Sequence, residues 1–358
     1  MSAEFWRQKR VLVTGHTGFK GGWLATWLHL LGAKVVGYAL AAPTTPSLFD
    51  TIDLGTLIVS RLGDIRDFDT LSAAFNEGEP EIVFHLAAQP LVLASYTDPL
   101  ETFGTNFMGT AHVLECARKT ASVRAVVVVT SDKCYENRGW VWGYREGDRL
   151  GGRDPYSNSK ACVELLSHTY QNSFFAAAEG PRLATVRAGN VIGGGDWGLY
   201  RLVPDLVRAA TSGEPIILRY PEAVRPWQFV LDPLRGYLEV ARRLYLHDGR
   251  AAAAWNFGPE VGAFGAVKSI VAAFQDGWGT AINVVNESGP KKPEAETLRL
   301  DSSKARLELG WRPLLQFSEM MEWTIEWYRI FKDNPTGMRQ TTFGQLERFM
   351  ALQAPAHG

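Results

Sequence analysis

The sequence predicts an α/β fold: a parallel sheet covered by helices on both faces, joined to a smaller mixed α/β unit nearer the C-terminus. Short, continuously apolar runs recur through the first half of the chain, each followed by a polar or glycine-rich turn and then by apolar residues at helical spacing. Unbroken hydrophobic strands are those buried on both faces, and their alternation with helices implies a parallel sheet. Past Gly193-Gly194-Gly195 this alternation decays into shorter segments punctuated by Pro204, Pro215, Pro221 and Pro226. The 358 residues also exceed the ~250 to 300 at which a single core usually splits.

Taken in order, Arg10-Val11-Leu12-Val13-Thr14 is a β-branched run that stops at Gly15, and residues 23–31 repeat apolar side chains at helical spacing: strand, glycine turn, helix. A second strand is expected over 34–40 and a third at Leu57-Ile58-Val59, leading into Gly63-Asp64-Ile65-Arg66-Asp67. Residues 81–86, 124–129 and 183–187 supply further apolar strands. Long helices are expected over 106–118 and 157–170, the second placing Tyr156 and Lys160 four apart on one face. A helix over 232–246 and a strand at Trp255-Asn256-Phe257 return to the first unit. Residues 1–190 with 230–260 then form the first domain, and 191–229 with 261–333 the smaller one. The polar, glycine-containing stretch 334–358 is expected to be a peripheral tail.

Composition narrows the function. Lys plus Arg (37) nearly balances Asp plus Glu (38), so no net charge draws the chain to nucleic acid or an anionic membrane. The most membrane-like stretch, 21–33, is far shorter than the ~20 apolar residues of a spanning helix. Residues 1–9 show no apolar secretory segment, so a cytoplasmic location is expected. Three cysteines without C-x-x-C spacing argue against a disulfide framework and against structural zinc, and no metal is expected.

In Thr14-Gly15-His16-Thr17-Gly18-Phe19-Lys20-Gly21, glycines stand where side chains would obstruct a tight turn and the close approach of a pyrophosphate. The helix that follows offers unpaired amides and a positive dipole end, as in a doubly wound Rossmann sheet. His16 is bulky for such a loop, and Lys20 puts a cation where the dipole disfavours it. Either both face solvent or they reshape cofactor affinity. The end of the second strand, Tyr38-Ala39-Leu40, carries no carboxylate for the ribose of NAD and no arginine for NADP, so cofactor preference stays open at this point.

The glycine loop, Asp64-Ile65, Leu86-Ala87-Ala88-Gln89, Asn106 and Tyr156-x-x-x-Lys160, met in that order, resemble the extended short-chain dehydrogenase/reductase family. Within it, Ser131-Asp132-Lys133 resembles the catalytic triplet of the nucleotide-sugar 4,6-dehydratases, and the runs 15–21, 131–135, 187–197 and 225–228 resemble the branch acting on CDP-glucose. The resemblance implies NAD on the Rossmann domain, CDP-glucose on the smaller one, a role in deoxysugar biosynthesis, and a homodimer or dimer of dimers. It implies that Gly15, His16, Thr17, Gly18, Phe19, Lys20, Gly21, Leu86, Ala87, Gln89, Asn106, Tyr156 and Lys160 line the cofactor, with Asp64 and Ile65 at its adenine. Many relatives carry glutamate where this chain has Lys133.

The residue types suit that chemistry. Removing hydride from a sugar C4 requires its hydroxyl proton to leave too, and Tyr156 can take it if its phenol is acidified from the ordinary ~10. Lys160 and a cationic nicotinamide would favour this, and Ser131 could bond the same oxygen. Oxidation at C4 makes the C5 proton acidic. Lys133, when neutral, could remove it while Asp132, holding a proton, gives that proton to the departing C6 hydroxyl. Hydride returns to C6, so water is lost without net redox change. Asn190, Arg201 and Arg225 are candidates for the diphosphate, since guanidinium forks match phosphate oxygens. A nucleotide-sugar 4-epimerase would share Tyr156 and Lys160 but has no use for an Asp–Lys acid/base pair. A non-catalytic dinucleotide sensor could dispense with all of them. The presence of Asp132 and Lys133 favours elimination.

Overall fold

The apolar runs become one seven-stranded parallel sheet. Its first six strands are β1 (Arg10–Thr14), β2 (Lys34–Ala39), β3 (Val59–Leu62), β4 (Ile82–His85), β5 (Ala125–Val129) and β6 (Arg182–Ala188), and Ala254–Phe257 closes the edge beside β6. The order across the sheet is β3, β2, β1, β4, β5, β6 and Ala254–Phe257, so the winding reverses between β1 and β4. The computed structural model describes residues 3–175, 180–260, 265–287 and 297–352; the parts of the predicted smaller domain at 261–264 and 288–296 and of the predicted tail at 353–358 lie outside them.

Strand periodicity sends alternate side chains to two cores. Val11, Val13, Phe84 and Val127 pack with Trp23, Trp27, Leu234 and Leu238, from the helices Phe19–Leu30 and Leu231–Tyr245. Leu12, Val83, Val126 and Val128 pack on the other face with Phe75, Val113 and Val163, from Phe68–Gly78, Gly109–Lys119 and Pro155–Ser173. This double burial is why these strands read as unbroken hydrophobic runs.

The third strand differs from expectation: Ile58 seals the core ahead of it, and β3 itself is an edge strand with exposed Val59 and Leu62. The helix expected from 106 begins as a π-helical turn, Gly104–Met108, before the α-helix Gly109–Lys119. Beyond β6, short strand pairs join Val191–Ile192 to Gln228–Phe229, Ile216–Leu218 to Val284–Asn286, and Val224–Arg225 to Gly265–Ala266. Pro204 does not break structure there; it lies in the first turn of the helix Leu202–Ser212, where a missing N–H costs no helical bond.

Residues of the predicted tail are not peripheral. Met338–Ala351 is a helix that buries Met338, Leu346 and Phe349, with Phe349 edge-on to Trp27 at 5.7 Å. Trp327 Nε1, on the helix Phe317–Asp333, donates to Thr342 Oγ1 at 3.0 Å. The polar composition of 334–358 hid a single apolar stripe. The same helix Phe317–Asp333 clamps the glycine run after β6: a Cβ on Gly194 would lie 2.0 Å from Trp327 Cγ, and Trp23 Nε1 donates to the Gly194 carbonyl at 2.9 Å. Among the described residues no helix is long and apolar enough to cross a membrane, and no three His, Cys, Asp or Glu side chains converge to hold a metal.

Candidate active site

The glycine loop sits where the winding reverses, the place at which open α/β sheets bind ligands. Gly15 has φ +80°, and a Cβ there would meet the Ala87 amide nitrogen at 2.7 Å; one on Gly21 would lie 2.0 Å from the Gly15 carbonyl oxygen. Both glycines are thus imposed by the turn. Gly18 meets only the Gly15 carbonyl, at 3.4 Å, and caps the helix Phe19–Leu30 without any side-chain hydrogen bond. Its first amides are therefore available to an anion.

The loop rests on a buried network that sequence reasoning missed. Thr14 Oγ1 lies 2.7 Å from His85 Nδ1 and accepts from the Leu86 and Ala87 amides, while His85 Nε2 lies 2.9 Å from Thr110 Oγ1. Thr110 Oγ1 donates to the Asn106 carbonyl, so it accepts from a protonated Nε2, and Nδ1 accepts from Thr14. That tautomer is neutral, in keeping with burial, which pushes His85 down to about 3.

Neither oddity of the loop faces solvent. The His16 ring is fully buried and lies against Gly37, where a Cβ would be 2.3 Å from its Cγ; Nε2 is 2.7 Å from Ser60 Oγ. Burial pushes it down to about 4, so it is neutral at physiological pH. Lys20 is half-buried and feels Arg201, Asp132 and Asp196; burial first, then Arg201, lower it to about 8. Thr17 Oγ1 donates to the Leu40 carbonyl at 2.9 Å, and the Phe19 ring lies against Gly193.

Of the other expected cofactor residues, Asp64 is paired with Arg66 at 2.6 Å, which holds its carboxyl below the ordinary value, and Ile65 is buried against Gly109. Leu86 and Ala87 are half-buried beside Gly15. The Gln89 side chain is occupied, donating to the Leu91 carbonyl and Thr102 Oγ1 and accepting from the Leu91 amide. Asn106, in the π-helical turn, accepts from the Gln89 amide and donates to the Gln89 carbonyl and to Ser159 Oγ at 2.8 Å. Ser159 in turn donates to the Tyr156 carbonyl, so Asn106 ties the cofactor side of the cleft to the tyrosine's turn.

Ser131, Asp132 and Lys133 follow β5 directly. Ser131 Oγ donates to Asp132 Oδ1 at 3.0 Å and accepts from the Lys133 amide at 3.2 Å, which fixes the triplet in one short 3₁₀ turn. The helix Pro155–Ser173 starts with Asp154 as its N-cap and Pro155 in its first turn, setting Tyr156 and Lys160 on the face toward that turn. Lys160 Nζ donates to the Val129 carbonyl at 3.2 Å. Burial, with help from Lys20, lowers Lys160 to about 8. Burial likewise raises Tyr156 to about 12, against a downward pull from its hydrogen bond with Ser131. The expected acidification of the phenol is therefore not a property of the protein's own groups.

Beneath these groups lies a second feature with no signal in motif spacing. Glu164, one turn beyond Lys160, takes a two-pronged ion pair from Arg187 on β6, Nε at 2.8 Å and Nη2 at 2.7 Å, and accepts from Thr130 and Thr185. Both charged side chains are 3% exposed. Arg187 Nη1 also donates to Tyr135 OH at 2.6 Å, which donates to Asn256 Oδ1. The expected diphosphate ligands are more scattered: Arg201 pairs with Asp196 at 2.8 Å, Arg225 is buried and donates to the Val224 carbonyl, and Asn190 Oδ1 is buried without a partner among the described residues.

The sequence matches the GDP-mannose 4,6 dehydratase family over residues 12–324. It is 50% identical to a CDP-glucose 4,6-dehydratase of Salmonella typhimurium over 332 residues, 92% of either chain. A dTDP-glucose 4,6-dehydratase of Bacillus anthracis, solved in complex with NAD, has a TM-score of 0.75 at 21% identity, covering 90% of this chain and 97% of that one. A UDP-glucose 4-epimerase of Thermotoga maritima with UDP-glucose has a TM-score of 0.77 at 24% identity, covering 89% and 98%. These two structures share the fold.

Proposed function

The chain belongs to the GDP-mannose 4,6 dehydratase family, and from that premise we propose that it converts CDP-glucose to CDP-4-dehydro-6-deoxyglucose and water, with NAD as cofactor. The observation that carries this reading is the gathering of Ser131 and Asp132 behind β5 against Tyr156, with Lys133 next in the same short turn and Lys160 one helical turn beyond Tyr156, in a chain half identical to a CDP-glucose 4,6-dehydratase.

The residues present fit NAD: the turn at Gly15 and Gly21 leaves no room for side chains, and the uncapped helix start presents amides to a pyrophosphate. Held there, NAD would supply a hydride acceptor for C4 of the sugar and a hydride donor for C6. Residues 15–21, Leu86, Ala87 and Asn106 would hold it, with Asp64 and Ile65 at the adenine.

Tyr156 accepts the C4 hydroxyl proton. Because burial holds its phenol near 12, that step depends on added positive charge, to which Arg201 already contributes within the protein. Lys160, tethered to the Val129 carbonyl, sets a second basic group on the same helical face. With C4 oxidised, Lys133 removes the C5 proton and Asp132 protonates the C6 hydroxyl as it leaves as water. An epimerase would have no use for this pair. Arg201, which among the described residues gives one N–H to Asp196, Arg225 and Asn190 would meet the diphosphate.

The test is turnover of CDP-, UDP-, GDP- and dTDP-glucose side by side, with NAD present. A 4-keto product from CDP-glucose far in excess of the others supports the assignment. Equal or better turnover of dTDP-glucose would overturn the nucleotide assigned.

A further inference from the structure

A four-residue helix, Leu48–Thr51, is wedged between the helix that follows the glycine loop and the glycine run after β6. Its Leu48 is buried, and both flanks exclude side chains: a Cβ on Gly22 would lie 3.0 Å from Leu48 Cδ2, and one on Gly195 2.7 Å from Leu48 Cδ1. Phe49 stands edge-on to the His16 ring, centroids 5.5 Å apart. A helix this short does not hold itself together, so the wedge depends on what fixes its ends. Ser47 caps the start, its Oγ accepting from the Asp50 amide at 3.0 Å. The far end is fixed from a distant part of the chain. Arg339, in the first turn of Met338–Ala351, donates from Nε to the Ile52 carbonyl at 2.8 Å, and from Nη2 to the Asp53 carbonyl, Asp53 Oδ2 and Thr56 Oγ1 at 3.0, 2.9 and 2.8 Å. The Ile52 carbonyl is one that a helix end leaves without an internal partner. Asp53 is left-handed, φ +53°, a conformation that a non-glycine residue keeps only where its surroundings impose it. An exposed Arg–Asp pair by itself contributes little; the weight of this guanidinium lies in the backbone it holds.

We propose that Arg339 is a positioning residue for the cofactor loop: it latches residues 52–56, so that Leu48 stays between Gly22 and Gly195 and Phe49 stays against His16. The inference rests on residues 15–21 holding NAD, as proposed above. Gly22 lies in the first turn of Phe19–Leu30, whose amides face the pyrophosphate, and Gly195 directly precedes Asp196, the partner of Arg201. Leu48 therefore touches both sides of the cleft. With the latch closed before NAD arrives, the loop is already shaped, and binding carries no cost of ordering it. With the latch open, NAD must first draw the wedge back, which weakens its apparent affinity by the fraction of molecules out of place. The chemical steps are untouched, because among the described residues Arg339 bonds only to Ile52, Asp53 and Thr56.

The test is Arg339→Met in the full chain, which keeps the apolar stem and removes the fork. NAD is titrated against tryptophan fluorescence. If about a tenth of the molecules then hold the wedge in place, the apparent Kd for NAD rises about tenfold. At saturating NAD, kcat with CDP-glucose should equal that of wild type, since bound cofactor restores the arrangement. Amide exchange without NAD should quicken about tenfold over residues 49–56 and stay unchanged in β1 and β5. Arg339→Lys supplies a single point charge in place of the fork, so its Kd should fall between the two. A wild-type Kd in Arg339→Met, a lowered kcat at saturating NAD, or exchange that quickens equally in β1 and β5 would each overturn the proposal, the last by showing a general loss of stability. Should Arg339→Met fail to fold, the Arg339→Lys titration decides, and a wild-type Kd there overturns it. The wild-type arm is separate: if that protein takes up no NAD, the cofactor assignment falls and this inference with it.

Discussion

Replacing Arg187 by methionine should be at least as damaging as replacing both members of its ion pair. In Arg187→Met the Glu164 carboxylate stays buried with only Thr130 and Thr185 donating to it. Stranding one charge of a buried pair costs about 3 to 5 kcal/mol, a large share of the about 5 to 15 kcal/mol that holds a domain folded. The double variant Glu164→Met/Arg187→Met removes both charges and leaves three hydroxyls, on Thr130, Thr185 and Tyr135, short of a partner. At about 1 kcal/mol for each lost bond, it should cost no more than Arg187→Met alone. Urea unfolding followed by tryptophan fluorescence measures all four proteins, and the cycle should close with a coupling of about 3 kcal/mol. Burial would push Glu164 up, but Arg187 and the two threonines outweigh it and hold it below its ordinary value. The stabilisation is therefore complete above the ordinary carboxylate range and is lost as pH falls through the lowered folded value. A double variant as unstable as the sum of the singles, at any pH, would refute this account of the network.

Lys133→Ala should keep the wild-type Tm while turnover falls about 10²- to 10⁴-fold, the usual worth of a positioned base; normal 4-keto product formation would remove Lys133 from the C5 step. Lys160 sits at about 8 in the fold against an ordinary 10.5, so between those values the unfolded chain binds the extra proton and the stability contributed by Lys160 rises with pH. The stability of wild type relative to Lys160→Met should accordingly climb from pH 8 to pH 10, by about 2 kcal/mol, and a flat difference would contradict the burial argument. Phe349→Ala should destabilise by about 3 to 5 kcal/mol, whereas a truly peripheral tail would tolerate it without change in Tm.

The parts of the fold that were readable in the sequence are those where one physical demand dominates. β1, β4 and β5 are buried on both faces, so all but their end positions are apolar, and the turn after β1 cannot carry a Cβ at Gly15 or Gly21. β3 was placed too early because an edge strand has no such demand and Ile58 gave the hydrophobic signal ahead of it. Met338–Ala351 was read as peripheral because a helix needs only one apolar stripe, and Met338, Leu346 and Phe349 are sparse among polar neighbours. At the site, Tyr156 and Lys160 could be put on one face from their spacing alone. Their burial, which raises one and lowers the other, depends on packing from distant elements. His16 was expected to face solvent or cofactor, yet its ring is held against Gly37 by Ser60, 44 residues away in sequence.

The central claim, that hydride leaves C4 and returns at C6 while Lys133 and Asp132 remove water between, is tested most directly with CDP-glucose carrying deuterium at C4. Incubated with the protein and NAD, it should give a product lighter by one water with the deuterium in the new C6 methyl group and no net formation of reduced cofactor. Substrate mass retained with deuterium still at C4, or with C4 inverted, would contradict the account.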